Sequence, residues 1–560
     1  MLIVRILTHQ IRRHLLALLT LCSATLVGQD VAIDEIDKQD PIKVSGSISA
    51  LNRFYFASGI EDRQENYIWT LSGRLNFSVF GVAVPLSGTI TSQNSDFTQP
   101  YNRLSVRPSY KWAKAHIGYS NMTYSSYTLA GHTFLGGGLE LNPKKIRFAA
   151  TYGRFATAVP LDVPTNQPFV PSFDRFGYGG KIGYGDESNY IDFMYFTAED
   201  RMDSWQSIPD SSAITPGENL VLGTAWKISK IKNLTFSGEF ATSAFTTDVR
   251  DEQIAQDALF STFGFETRAS TKIRDAFKSA VSYRIGSHTV SGSYERIDPE
   301  YQTMGAYFFN NDIENITAAY ATAFFKKRVS LSVNGGLQRN NLENTRESES
   351  RRTIMAGNLV YANNPFTFGL NYSNFSSDVR YVLNPSLDSL NAVVVTQSTS
   401  VFGSYVLPTS TRQLVNVNIS TQSVSDDFQS ADRSTENKIF TGTLTYTAKF
   451  VNDADLSIRF NYNKNDLDGM VTKRFGPGVS YKQILLKKLT TTSALNYFSA
   501  DGNSTLTALI NASMNLDSKH VFTLNLSYIN RNIVSSEVDG VSETSRFGET
   551  ITTFNYSYNF

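Results

Sequence analysis

A chain of 560 residues with 41% hydrophobic residues and a mean hydropathy of −0.23 carries too little apolar surface for a bundle of membrane-spanning helices. Lysine plus arginine and aspartate plus glutamate balance at 51 each, which argues against a nucleic-acid binder. The single cysteine leaves nothing to build a disulfide framework or a thiolate metal site from.

In chain order, Arg5, Arg12 and Arg13 precede LLALLTLCSATLVG and then Gln29-Asp30. A charged head, a short apolar stretch and small residues before a polar junction predict a secretory signal peptide over residues 1–28. Cys22 lies inside it, and Leu21 stands where a lipidated cysteine needs a small residue before it, so Cys22 leaves with the signal. Removal takes three arginines away, leaving 48 basic against 51 acidic side chains. Residues 29–41 read as a short acidic periplasmic leader.

From residue 42 onward the pattern has a period of two. WTLSGRLNFSV sets Trp69, Leu71, Leu75, Phe77 and Val79 against Thr70, Ser72, Arg74, Asn76 and Ser78. LSIRFNYN sets Leu456, Ile458, Phe460 and Tyr462 against Ser457, Arg459, Asn461 and Asn463. Alternate residues of a strand face opposite sides, so these are two-faced strands. About 26 such segments (24–26), most of them about 9–14 residues long, run from 42–56 to 546–560, and no sustained helical period interrupts them. The links between them alternate between short (NPKK, RIGSH, FFKKR, LDSK) and long (TDVRDEQIAQDALFSTFGFETRAST, DVRYVLNPSLDSLNAVVV). An up-and-down barrel with all its long loops on one side produces that parity, and a soluble sandwich has no reason to.

The last strand, ETITTFNYSYNF, places Phe554, Tyr556, Tyr558 and Phe560 on alternate positions and ends on an aromatic. With the signal peptide and the loop parity, this resembles the β-signal of Gram-negative outer-membrane β-barrel proteins of the porin-like class. The resemblance covers residues 42–560. It implies an all-β fold, a single large transmembrane antiparallel up-and-down barrel with short periplasmic turns and long extracellular loops. It also implies contact with outer-membrane lipid and with the barrel-assembly machinery during insertion.

On the polar face, Arg74, Arg107, Lys111, Arg147, Lys181, Glu239, Arg284 and Arg459, with Asp192, are the candidate lumenal charges. Such charges tune solute selectivity in a channel or brace the wall. Two long loops carry apolar groups. DEQIAQDALFSTF puts Ile254, Ala255, Ala258, Leu259 and Phe263 on one face of a short helix, and QTMGAYFFNND offers Met304, Tyr307, Phe308 and Phe309. Exposed apolar groups mark a contact, either with the lumen wall or with a partner protein. A third loop is stiffened by Pro160, Pro164, Pro168 and Pro171. His132 is the one histidine placed near a long-loop rim, and no cofactor, metal or catalytic constellation is expected. An unobstructed barrel of this width would leak. The expectation is therefore a large outer-membrane channel or translocation pore for polar solutes or polymers, narrowed by its loops or plugged by a partner. The alternative is a non-transporting scaffold subunit of a surface or secretion complex, with a periplasmic or outer-membrane protein partner.

Overall fold

The computed structural model describes residues 42–79, 82–93, 103–159, 171–205, 214–254, 257–383, 391–409, 411–428, 434–450, 453–534 and 544–560. The predicted signal peptide and leader lie outside these residues, as do Pro160, Pro164, Pro168 and Ala255.

In chain order the strands are β1 (Ile42–Ser58), β2 (Tyr67–Val79), β3 (Val82–Thr91), β4 (Arg103–Val106), β5 (Ser109–Tyr110), β6 (Ala113–Thr123), β7 (Ala130–Leu141), β8 (Ile146–Ala156) and β9 (Asp174–Gly185). They continue as β10 (Tyr190–Arg201), β11 (Glu218–Ile228), β12 (Leu234–Thr246), β13 (Thr271–Ile285), β14 (His288–Ile297), β15 (Ile313–Phe324), β16 (Val329–Arg339), β17 (Ser348–Asn363) and β18 (Phe366–Tyr381). The last nine are β19 (Ala392–Leu407), β20 (Gln413–Phe428), β21 (Ser434–Lys449), β22 (Asp455–Leu467), β23 (Met470–Leu485), β24 (Leu489–Ala500), β25 (Asn503–Asn515), β26 (His520–Val534) and β27 (Thr544–Asn559). A short α-helix, α1 (Ala258–Thr262), sits in the link between β12 and β13.

Each strand pairs antiparallel with the next, except that β4 and β5 both lie between β3 and β6, and β27 pairs back onto β1, from Ser47↔Asn559 to Ser58↔Gly548. Gly46 and Phe560 exchange two backbone hydrogen bonds of 3.0 Å and seal the base of that junction. Because β4 and β5 are two pieces of one stave, broken at Arg107-Pro108, the barrel is a closed ring of 26 staves, as the alternation predicts. Closure leaves no edge, so the ladder satisfies its own polar groups in a medium without water. A strand spacing near 4.8 Å and a tilt of about 40° make a round ring of this size about 50 Å across, backbone to backbone.

The two faces follow the sequence alternation. On β1, Ile48, Phe54 and Phe56 are exposed on the outer face while Tyr55 is fully buried on the inner one. Their partners keep the phase, with Ile48 opposite Gly73 and Phe54 opposite Tyr67. Exposed Tyr152, Tyr178, Ile182, Tyr184, Ile191 and Phe193 extend the outer apolar band across β8–β10. Such a band belongs against lipid acyl chains.

Two details depart from the predicted parity. At the long-loop end, β22–β23 and β24–β25 are joined by the pairs Asp468-Gly469 and Asp501-Gly502, all four residues at positive φ. Asp-Gly in that conformation is the tight hairpin turn that matches strand twist. Both ends of the link DVRYVLNPSLDSLNAVVV are strand, because β18 runs on to Tyr381 and β19 begins at Ala392. Staves β17–β21 are 16 residues each, longer than the expected 9–14, and stand taller than their neighbours.

Candidate functional site: the inner wall and its loops

Two of the three buried clusters lie inside the barrel, against β6–β15. Tyr124–Leu129, between β6 and β7, and residues 298–312, between β14 and β15, turn inward and pack on this sector. Met122, Tyr124, Leu129, Phe134, Phe155, Met194, Phe196 and Met304 form one apolar cluster. Tyr127, Val221, Ala241, Ala276, Ile297 and Tyr301 form a second, with Phe309 against it.

Hydrogen bonds hold the two segments to the wall and to each other. Glu239 on β12 accepts from the backbone N–H of Tyr127 at 2.8 Å, and Glu295 on β14 accepts from its hydroxyl at 2.7 Å. The Tyr301 hydroxyl donates to the Tyr127 carbonyl (2.7 Å), and the Thr303 hydroxyl donates to the Thr128 carbonyl (2.9 Å). Met304 N–H donates to Asn219 Oδ1 (3.0 Å), whose amide donates to Ser243 Oγ and the Ala244 carbonyl. Burial, with Glu295 and Glu239 near Tyr127 and Glu239 and Asp275 near Tyr301, pushes both tyrosine hydroxyls far above their ordinary range.

The predicted lumenal charges divide into three groups. Arg147 and Lys181 meet at Asp192, which is 2% exposed. Arg147 donates to it twice, at 2.7 and 3.0 Å, with the guanidinium 4.3 Å above the Tyr190 ring, and Lys181 Nζ lies 4.0 Å away. These brace the wall, as does Glu239 by holding Tyr127. Arg74 and Arg107 come together on the inner face with Arg103, and Arg107 donates to Ser105 Oγ (3.2 Å). Arg284 and Arg459 sit on bare wall with no ion-pair partner among the described residues. Lys111 is a correction: it occupies the β5–β6 turn at φ 49°, its ammonium over the Tyr110 ring, because the strand ends at Tyr110.

The sequence reading missed the partners. His116, 2% exposed, lies 2.6 Å from Glu140 through Nε2, with Lys114 also on Glu140 at 3.2 Å. Arg175 donates to Asp200 at 2.8 and 3.0 Å. In each case the pair sits on facing strands, so only the register reveals it. His132 carries no carboxylate: its Nδ1 donates to the Thr133 carbonyl and its ring stacks on Tyr307 at 4.1 Å.

The two apolar loops part company. In residues 298–312, Tyr307 and Phe309 lie on the inner wall, while Phe308 is 85% exposed. The β12–β13 link does the opposite. Asp257 caps α1 by accepting from Leu259 N and Phe260 N, and Phe260 and Phe265 bury against Leu220 and Ala244. Leu220 and Ala244 lie on the outer face, since their neighbours Val221 and Ser243 point inward. The link is therefore a flap on the outside of the barrel. Ile254, Leu259 and Phe263, expected to contact the lumen wall or a partner, are about half exposed on the flap, with Phe263 6.1 Å from Tyr195 of the outer wall, and Phe260 is the buried contact.

At the closing seam Phe554, Tyr556, Tyr558 and Phe560 share the outer face with Ile48 and Ala50. Phe522 stacks near Tyr556 (4.8 Å), the Tyr556 hydroxyl lies 2.8 Å from His520 Nδ1, and Tyr558 lies beside Phe560 at 5.6 Å. The aromatics of the predicted signal thus form one outer-face cluster on the closing strand.

No family model matches the chain, and no curated protein matches it. Among solved structures it is similar to the translocation pore of the P pilus usher PapC, at 9% identity over 92% of this chain and 99% of that one, with a TM-score of 0.35. It is similar to OccK2 (OpdF) of Pseudomonas aeruginosa at 9% identity over 92% and 98% of the two chains (TM-score 0.29). The outer membrane protein OprD of the same organism matches 60% of this chain and 88% of its own at 11% identity (TM-score 0.31).

Proposed function

We propose that the chain is an outer-membrane channel of a Gram-negative bacterium, passing polar solutes or polymers, with residues 124–129 and 298–312 narrowing one side of its lumen. The observation that carries this reading is the remaining sector of the inner wall. Between β18 and β22 it carries amides and hydroxyls bonded to one another, Asn371 to Ser400 (3.1 Å), Thr443 to Asn461 (3.0 Å) and Asn463 to Thr441 (3.0 Å), with no packed loop over them among the described residues. A polar, uncovered wall inside a closed ring holds water. Arg459 on β22 adds positive charge there, and Arg284 on β13 adds another on the inner face outside it, which favours anions or neutral polar solutes.

The test is single-channel conductance in a planar bilayer, with heat-modifiable migration as the check on folding. Steady openings, with the reversal potential shifting toward cations in Arg284→Gln/Arg459→Gln, support a channel. Silence from a folded barrel supports the second reading, a scaffold, for which the outer flap with exposed Ile254, Leu259 and Phe263 supplies a contact surface.

A further inference from the structure

On the inner face, one row of residues crosses the first four strands at a single height. Ser47 on β1 stands opposite Arg74 on β2, Arg74 opposite Ser87 on β3, and Ser87 opposite Ser105 on β4. Arg107, two residues beyond Ser105, donates from Nε to Ser105 Oγ at 3.2 Å and from a terminal nitrogen to Asn121 Oδ1 at 3.4 Å. Those bonds turn its guanidinium back to the height of the row. Arg74 and the Arg107–Ser105 pair therefore flank β3, which places only the small side chain of Ser87 between them. Two strand spacings make that gap about 10 Å, backbone to backbone.

These residues line a polar cleft of 620 Å³, a volume in the range of small-molecule sites, with serines from five strands and no carboxylate. The Arg74 side chain has no hydrogen bond or ion pair among the described residues, and both partners of Arg107 are neutral. Arg103 borders the cleft too but has an interaction of its own, so the charge on offer is that of Arg74 and Arg107. On the neighbouring strands the inward cations are matched: Lys114 with Glu140, Arg147 and Lys181 with Asp192, Arg175 with Asp200. Ser120 on the floor of the cleft is 1% exposed, and its hydroxyl has no hydrogen-bond partner among the described residues. A buried hydroxyl left unpaired is destabilising, so a ligand group that bonds it gains by doing so.

We propose that this cleft binds a small phosphorylated polyol, its phosphoryl group over Ser87 between Arg74 and Arg107 and its hydroxyls on the surrounding serines. A phosphomonoester carries about −1.5 to −2 charges at neutral pH, which matches two uncompensated guanidiniums better than a monocarboxylate does. Its terminal oxygens accept charge-assisted bonds from both guanidinium forks at once. Inorganic phosphate leaves most of the 620 Å³ to water, whereas a polyol body brings hydroxyls that donate to and accept from serine hydroxyls. The whole ligand lies on the lumen side, because the β2–β3–β4 ladder behind it is continuous. This site names a solute class for the proposed channel and rests on that reading for the route by which the ligand arrives. Binding is read on detergent-folded protein, so absence of binding and absence of conductance are separate results.

The test is equilibrium dialysis of radiolabelled glucose 6-phosphate against the folded full-length protein in maltoside micelles at low salt. One saturable site per barrel is expected, severalfold tighter than for inorganic phosphate, with no binding of glucose. Arg74→Gln and Arg107→Gln each weaken binding roughly tenfold or more. Arg74→Lys keeps the charge and recovers only part of the loss, because an ammonium does not present a planar fork. Ser120→Ala weakens binding severalfold without lowering the unfolding midpoint of the unliganded barrel, since it deletes a buried hydroxyl that has no partner there. Lys327→Gln, in the turn between β15 and β16, leaves binding unchanged. If Arg107→Gln does not fold, Arg74→Gln carries the test, because the described fold makes no use of the Arg74 guanidinium. Absence of a saturable site on a folded barrel, equal affinity for inorganic phosphate, or unchanged binding in Arg74→Gln overturns the proposal.

Discussion

Replacing Tyr301 tests whether the inner loop layer is a docked element with its own stability. The side chain is fully buried, its ring lies 5.1 Å from Phe309 and 6.3 Å from Tyr127, and its hydroxyl donates to the Tyr127 carbonyl. Truncating a buried aromatic to alanine costs about 4 kcal/mol. That shifts the balance between docked and undocked loops by roughly a thousandfold. Tyr301→Phe keeps the packing and strips one hydrogen bond from a buried carbonyl, for about 1 kcal/mol, or about fivefold. The barrel ladder is untouched, so both variants are expected to keep heat-modifiable migration. The assay is bilayer conductance together with chymotrypsin cleavage after Tyr307 or Phe308. Conductance and cleavage are expected to rise in the order wild type, Tyr301→Phe, Tyr301→Ala. Deleting residues 257–263 removes α1 from the outer wall and is expected to leave conductance unchanged. If that deletion opens the pore as far as Tyr301→Ala does, or if Tyr301→Ala changes neither readout, the assignment of the two loops to inner and outer faces is wrong.

Asp192→Asn leaves Arg147 and Lys181 on the inner wall without their shared carboxylate; breaking a buried pair costs about 3–5 kcal/mol, read as a lower midpoint for unfolding from detergent. Asn219→Ala removes the acceptor of Met304 N–H and two donated bonds, costing about 1–3 kcal/mol per group left unpaired, and is expected to raise cleavage in residues 298–312 as Tyr301→Phe does. Deleting Phe560 removes both backbone bonds to Gly46 and the last ring of the closing girdle, so the yield of heat-modifiable barrel in cells is expected to fall more than refolding in detergent does. Alkaline titration gives a signed prediction. The hydroxyls of Tyr127 and Tyr301 ionise far above the ordinary value near 10 when docked, so their contribution is fully present below pH 10 and is lost as pH rises through the docked values. The difference in tyrosinate absorbance between wild type and Tyr127→Phe/Tyr301→Phe should be near zero just above pH 10 and appear together with loop cleavage at higher pH; a two-residue difference already at the ordinary value would contradict their burial.

Strand positions and faces were legible because a lipid-facing wall makes the period-two pattern compulsory: Trp69 and Leu71 face out and Arg74 faces in on alternation alone. Closure was legible from Phe560 and the parity of the links. Three things were not. The ends of β18 and β19 slipped because residues beyond the apolar layer no longer need to alternate, yet still pair. Lys111 was assigned to the wall because the strand ends two residues before the alternation does. The helix in the β12–β13 link was read as an amphipathic contact for the lumen wall or a partner; it lies on the outer side of the wall, and Phe260 rather than Leu259 is buried. An apolar stripe records that a surface is covered; in a barrel both faces of the wall offer one. Phe260 against Leu220 and Ala244 settles it, and Leu220 differs from inward-facing Val221 by a single residue of register.

That register sensitivity also explains why the inner loops sit where they do. From β6 to β14 the inward positions include Met122, Phe134, Phe155, Met194, Phe196, Val221 and Ile297, side chains that gain nothing from a water-filled lumen. From β18 to β25 the corresponding positions include Asn371, Ser400, Asn461 and Asn463, which do. Tyr127, Tyr301 and Met304 cover the first sector, whereas in the second Phe375, Phe402, Phe498 and Leu509 stand among the amides and hydroxyls and no described loop packs over them. The asymmetry of the lumen is therefore written into the wall itself, and any path for solute runs along the amide- and hydroxyl-lined side. Substituting apolar side chains along the second sector, Asn371→Leu with Asn461→Leu, should reduce conductance without altering cleavage of residues 298–312, whereas loosening the first sector should alter both.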